Sequence, residues 1–196
     1  MTGIDYLGEA HQWPNRASGF GLLDLCGFKK PAAWFRQSLW SESPMVYLCA
    51  SAGAAPMGSP AIPAQGAPVV DQVRRTPAAE HWNWPPGSTV TATCYSNCPE
   101  VQLTLNGRPV GTKRLADAVE GVLTWTLPYE AGVLKAVGLK DGKPVSEFGL
   151  QTAGPASRIE LVPDSPKLTA GGKDVCHVEY CITMPPESGC RTPGRP

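Results

Sequence analysis

Apolar and polar positions alternate with a period of two through the second half of the chain. A near-helical period occurs once, close to the start. "VQLTLNG" sets Val101, Leu103 and Leu105 on one face of an extended segment that turns at Asn106-Gly107. Asn-Gly is the favoured pair for a type I′ hairpin because both central residues need positive φ. "STVTATCYS" before it and "VLTWTLPY" after it read as further strands, being β-branched, aromatic-containing and bounded by turn residues. "GVLKAVGLKDGKPVSEFGLQT" reads as a second hairpin, turning at Asp141-Gly142. Short strands at this spacing predict a small antiparallel sandwich of the immunoglobulin-like kind over residues 80–153.

The one helical stretch is "KKPAAWFRQSLW". Pro31 stands where a helix tolerates a missing N–H, and Ala32, Phe35 and Leu39 follow at near-helical spacing beside Trp34. "SPMVYLCA" then reads as a short buried strand or extended run. Residues 51–79 are rich in Ala, Gly and Pro without periodicity, the composition of a linker. Past residue 153, "RIELVP" and "DVCHVEYCI" supply too few strands to close a sandwich, so residues 154–183 read as the opening of a further β domain. Residues 184–196 have no pattern and are expected to be disordered.

Composition supports the β reading. There are 21 Gly and 21 Pro in 196 residues, together about a fifth of the chain where about an eighth is usual. Seventeen basic and seventeen acidic residues cancel, which argues against a nucleic acid or an anionic membrane as a partner held by charge. No apolar run approaches the ~20 residues that cross a bilayer as a helix, and the first residues lack the pattern of a signal peptide. The seven cysteines form no set of close pairs of the zinc-binding type, and neither a metal nor a cofactor is expected. On one extended strand, Cys94 and Cys98 would lie ~13 Å apart at ~3.3 Å per residue. A disulfide tolerates about 7 Å, so both are expected to be buried thiols.

The densest cluster of chemistry is "TGIDYLGEAHQWP", with Asp5, Tyr6, Glu9, His11 and Trp13. Paired carboxylates are the apparatus of glycoside hydrolysis, about 5 Å apart in retaining enzymes. Four residues of extended chain set Asp5 and Glu9 farther apart than that, and each could equally serve as a hydrogen-bonded cap or strand-end carboxylate. His11 with Cys26 has no third group to orient it, and "LDLCGF" reads as packing. The six tryptophans could offer flat faces to sugars but are equally suited to core packing. "HWNWP" places Trp82 and Trp84 on one side if extended, and reads as a clamp docking the β domain onto what precedes it.

Taken together, "TGIDYLGEAHQWPNRASGFGLLDLCGFKKPAAWFRQSLWSESPMVYL" resembles the end of the catalytic barrel in glycoside hydrolase family 2, the β-galactosidase-like enzymes. In that family a Trp-Thr-Gly-φ-Asp-Tyr-Leu-Gly-Glu segment forms the last barrel strand and its loop. A "G(L/I)(L/F)DLCGF.K" stretch and the last helix follow. "HWNWPPGSTVTATCYSNCPEVQLTLNGRPVG" through "LKAVGLKDGKPVSEFGLQTAGPA" is similar to the Ig-like domain after the barrel. "RIELVPDSPKLTAGGKDVCHVEY" is similar to the start of the next one.

The resemblance implies a mainly β chain: an immunoglobulin-like antiparallel sandwich (80–153) preceded by the last strand and helix of a truncated (β/α)8 barrel (1–50). It implies a C-terminal fragment of a retaining hydrolase of terminal β-galactosides or related O-glycosides, with a carbohydrate as the parent's substrate. Both catalytic glutamates of the family lie upstream of the matched segment, so the resemblance assigns no catalytic residue here and the chain alone is expected to be inactive. It implies instead that Asp5, Glu9 and Trp13 border the substrate pocket, at the C-terminal face where barrel sites sit. The family pattern stops near Cys181, which a frameshifted or truncated gene would explain. A non-catalytic β-sandwich module for carbohydrate binding or domain docking is the alternative reading. Removed from an intact barrel, Ile4, Leu22, Leu23, Phe35 and Leu39 are expected to be uncovered, leaving residues 80–153 as the only cooperative unit.

Overall fold

The computed structural model describes residues 3–7, 17–52 and 78–183. It divides into two compact units, Met1–Thr152 and Ala153–Pro196.

In the first unit, β1 (Tyr6–Leu7) pairs antiparallel with β2 (Ala17–Ser18). Ile4 forms a parallel bridge to Leu23. Helix α1 (Pro31–Trp40) begins with Pro31 in its first turn, as the sequence predicts. Seven strands then form two sheets. They are β3 (Val46–Ala52), β4 (Thr89–Ser96), β5 (Glu100–Leu105), β6 (Arg108–Arg114), β7 (Val122–Pro128), β8 (Val133–Lys140) and β9 (Lys143–Gln151). One sheet has the order β3-β4-β7 and the other β6-β5-β8-β9, all neighbours antiparallel. The fold is thus mainly β and a sandwich.

Both hairpin turns have the geometry their residues predict. Asn106 and Gly107 lie at φ 52° and 75°, Asp141 and Gly142 at 51° and 72°, so each central pair is left-handed, as a type I′ turn needs. The alternation of the strands fills the space between the sheets. Leu48, Val90, Cys94, Val101, Leu103, Leu123 and Leu134 are all essentially inaccessible to solvent there.

Three expectations change. "SPMVYLCA", grouped with the preceding segment, supplies β3, which pairs with β4 from Val46↔Ser96 to Ala52↔Val90. The sandwich therefore starts at residue 46. Its apolar run is continuous because both faces are covered: Val46, Leu48 and Ala50 point into the sandwich, while Tyr47 and Cys49 join Phe35, Met45 and Tyr95 in a second cluster beneath α1. Phe35, expected to be uncovered, is 3% exposed because this sheet gives the helix a surface to sit on, so residues 80–153 are not a unit by themselves. Ile4 and Leu39 do remain exposed.

Trp82 is no docking clamp. It is completely buried in the sandwich core, and its indole N–H donates to the Glu130 carbonyl at 2.8 Å. A large apolar ring with one polar edge is stable inside a core when that edge finds an acceptor.

Cys94 and Cys98 are buried free thiols. They do not share a strand, because β4 ends at Ser96. Of the stretch expected to be a linker, residues 53–77 lie outside the described residues, as does the tail from residue 184. Ala79 is described and bridges Ala50 at the edge of β3.

The second unit is a hairpin of β10 (Arg158–Pro163) and β11 (Val178–Thr183). Ile159 stands opposite Ile182 and Leu161 opposite Tyr180. Directly opposed residues share a face, and these four are 59–69% exposed.

Candidate functional site

Of the three residues expected to border a pocket, Asp5 is described, whereas Glu9 and Trp13 lie outside the described residues, as does His11. The site is therefore built around Asp5.

The segments on either side of β2 come together through the backbone. The Leu22 and Leu23 N–H groups donate to the Gly3 carbonyl at 3.0 and 2.9 Å, and the Asp5 N–H donates to the Leu23 carbonyl at 2.9 Å. The Asp5 carboxylate then accepts from the Gly21 N–H at 2.7 Å. Such an approach requires glycine: a Cβ at position 21 would fall 2.2 Å from the Asp5 nitrogen and 2.6 Å from the Leu23 carbonyl oxygen. The Lys30 ammonium donates to Oδ1 at 2.8 Å, to Oδ2 at 2.9 Å and to the Gly19 carbonyl at 2.9 Å. The two side chains keep 12% (Asp5) and 27% (Lys30) of their exposure. With screening this incomplete, the pair is worth more than a fully solvated one.

The "LDLCGFKK" stretch, which carries Lys30, makes a turn of its own. Oδ1 of Asp24 accepts from the Cys26 and Phe28 N–H groups at 2.8 and 2.9 Å, and the Asp24 N–H donates to the Phe28 carbonyl. Gly27 takes the left-handed conformation, φ 87°. The resulting tight turn delivers Lys29 and Lys30 to opposite tasks. Lys30 reaches back to Asp5, while Lys29 reaches forward to Gln37 Oε1 at 2.9 Å and lies 4.5 Å above the Trp34 ring.

The sequence reasoning missed Lys30. Its signal was its place at the end of the "GF.K" motif, but no spacing rule joins residue 30 to residue 5. A second polar group it missed lies at the edge of the cluster beneath α1. The Tyr47 hydroxyl donates to Glu80 Oε1 at 2.7 Å. Burial raises the Glu80 carboxyl above its ordinary range, the Tyr47 hydrogen bond pulls it back in part, and the Asp24 charge adds to the rise. Burial likewise pushes the Cys49 thiol up to about 12, which leaves it protonated and unreactive at neutral pH.

Chemically, the Asp5 carboxylate is placed and charge-balanced. Three hydrogen bonds occupy part of its acceptor capacity, since two carboxylate oxygens offer about four lone-pair sites. A ligand hydroxyl could still bond to it. Among the described residues no group of His, Cys, Asp and Glu is arranged to hold a metal ion, and no helix is long and apolar enough to cross a membrane.

Residues 87–146 match a family described as a domain of unknown function (DUF4982). A β-galactosidase of Bacteroides ovatus is 34% identical over 180 residues, 90% of this chain and 18% of that protein. A putative β-glucuronidase of Formosa agariphila is 31% identical over 167 residues, covering 81% of this chain and 13% of its own length. Among solved structures, a family 2 glycosyl hydrolase of Bacteroides cellulosilyticus superposes with a TM-score of 0.78 at 30% identity, over 92% of this chain and 24% of that one. A β-glycosidase of Bacteroides vulgatus gives 0.68 at 30% identity, over 93% of this chain and 20% of that one. The chain spans less than a fifth of the length of these two curated relatives. In sequence and in fold, the chain is similar to one segment of glycoside hydrolase family 2 members.

Proposed function

We propose that the chain is the part of a retaining glycoside hydrolase that completes the rim of the substrate pocket and carries the sandwich behind it. The whole enzyme would act on terminal β-galactosides or related O-glycosides. The similarity to a β-galactosidase over 180 residues, 90% of this chain, carries this reading. Residues ahead of β3 then belong to a barrel, β3–β9 form the Ig-like domain that follows, and the unit from Ala153 opens the next.

In this reading Asp5, Glu9 and Trp13 border the pocket, with a carboxylate for sugar hydroxyls and an aromatic face for the ring. The chemistry falls to two glutamates outside this chain. One attacks the anomeric carbon, and the other protonates the leaving oxygen and then activates water. The Asp5 carboxylate fits a supporting role, being bonded to Lys30 and Gly21.

Incubating the purified chain with an aryl β-galactoside should give no turnover above the uncatalysed rate. Turnover that disappears in Glu9→Gln would overturn the assignment of chemistry to absent residues. In the full-length protein, aryl β-galactosides should react faster than aryl β-glucuronides. The reverse order would reassign the substrate.

A further inference from the structure

We propose that the sandwich sets the position of the Asp5 loop, with α1 as the strut between them. The functional meaning of this coupling rests on the reading of Asp5 as part of a pocket rim; the coupling itself does not.

The strut is held in its middle and at both ends. In the middle, Phe35 meets Tyr95 edge-on at 5.3 Å, and Trp34 stacks on Tyr47 at 5.1 Å with 13° between the rings. Tyr47 stacks in turn on Tyr95 at 5.8 Å and touches Phe148 at 5.1 Å. Two strands of one sheet and one of the other thereby contribute to the helix seat.

At the C-terminal end, Asn97, in the turn between β4 and β5, binds the chain that leaves the helix. Its amide nitrogen donates to the Ser41 and Ser43 carbonyls, both at 2.8 Å, and its oxygen accepts from the Met45 N–H at 2.8 Å. The Ser96 hydroxyl adds a bond to the Met45 carbonyl at 2.8 Å. A side-chain amide has two donors and one oxygen acceptor, and all three functions of Asn97 are spent on this junction.

At the N-terminal end, Lys29 lies against Trp34 and Gln37, so it is carried by the helix. Lys30 follows immediately, with its N–H on the Leu22 carbonyl and its ammonium on Asp5. A lysine side chain has four flexible torsions, and it holds a carboxylate in one place only where its own backbone is fixed. A ten-residue helix is about 15 Å long and stiff over that length. Its seat on Tyr47 and Tyr95 therefore fixes where Lys30 begins.

The test is amide hydrogen exchange of the 196-residue chain carrying Asn97→Ala, a change remote from Asp5, Gly21 and Lys30. Gly21 N–H, which ends on the Asp5 carboxylate, should exchange about tenfold faster, while the β5–β8 ladder changes by less than about twofold. Phe35→Leu keeps an apolar side chain in the slot and should act in the same direction, so the comparison stands even if Asn97→Ala unfolds the unit. Unchanged Gly21 exchange in a folded variant whose α1 amides exchange faster would overturn the proposal. The aryl-glycoside assays test the rim reading separately.

Discussion

Lys30 grips Asp5 across 25 residues of chain, its ammonium 2.8 Å from one carboxylate oxygen and 2.9 Å from the other. Removing the cation leaves that carboxylate with the Gly21 N–H as its remaining partner in this network. A charge-assisted hydrogen bond contributes about 1.5–3 kcal/mol. Lys30→Met should cost an amount near the lower end, because Lys30 is partly solvated, and the loss should be confined to residues 3–30. Exchange of the Asp5 N–H against the β-ladder amides measures it. Asp5→Asn should cost less, since its Oδ1 still accepts from Gly21. Equal protection in Lys30→Met and wild type would show that the pair contributes nothing.

Glu80 supplies a pH dependence. Its carboxyl is raised by burial, with the Tyr47 hydroxyl opposing and Asp24 reinforcing. A carboxyl whose folded pKa exceeds its unfolded value stabilises the fold below the unfolded value, and this contribution is lost as pH rises through the folded pKa. Wild type should therefore lose stability relative to Glu80→Gln as pH rises from about 4 toward neutrality, the unfolded glutamate titrating near ~4.3. The residue as a whole is exposed although Oε1 faces Tyr47, so the difference should be small. Melting temperatures of both proteins across this range decide it. A parallel pair of curves would remove Glu80 as the cause.

Gly138 lies at a close approach inside the sandwich. A Cβ there would lie 2.5 Å from Cys98 Sγ and 2.7 Å from Val46 Cγ2, and both neighbours are buried. Gly138→Ala should destabilise the first unit by about 1–3 kcal/mol, the usual cost of overpacking. Cys98→Ala in the same chain should recover part of this, as contacting residues do not add. Urea denaturation of the two single variants and the double measures the coupling. Strict additivity would mean the clash is relieved by backbone movement instead.

The strands of the sandwich were legible because period-two alternation and turn residues are local. Asn106-Gly107 and Asp141-Gly142 adopt the conformations their side chains favour, and Val101, Leu103 and Leu105 point where the alternation says. The position of β3 was not legible. A continuous apolar run says that both faces are covered without saying by what, and its partner β4 begins 37 residues later at Thr89.

By itself, the sequence determined the mainly β character, the two type I′ turns, the start of α1 at Pro31, the buried thiols and the likeness to a hydrolase family. Each of these rests on neighbours in the chain or on motifs kept intact within it. Only the tertiary structure decided that Trp82 is core, that Phe35 is covered, and that Lys30 belongs to Asp5 and Asn97 to the exit of α1. These relationships join residues 25 to 60 positions apart. No local preference encodes them: each polar group could have been satisfied by water, and the Phe35 ring left uncovered, until the sheets and helix brought the partners within reach.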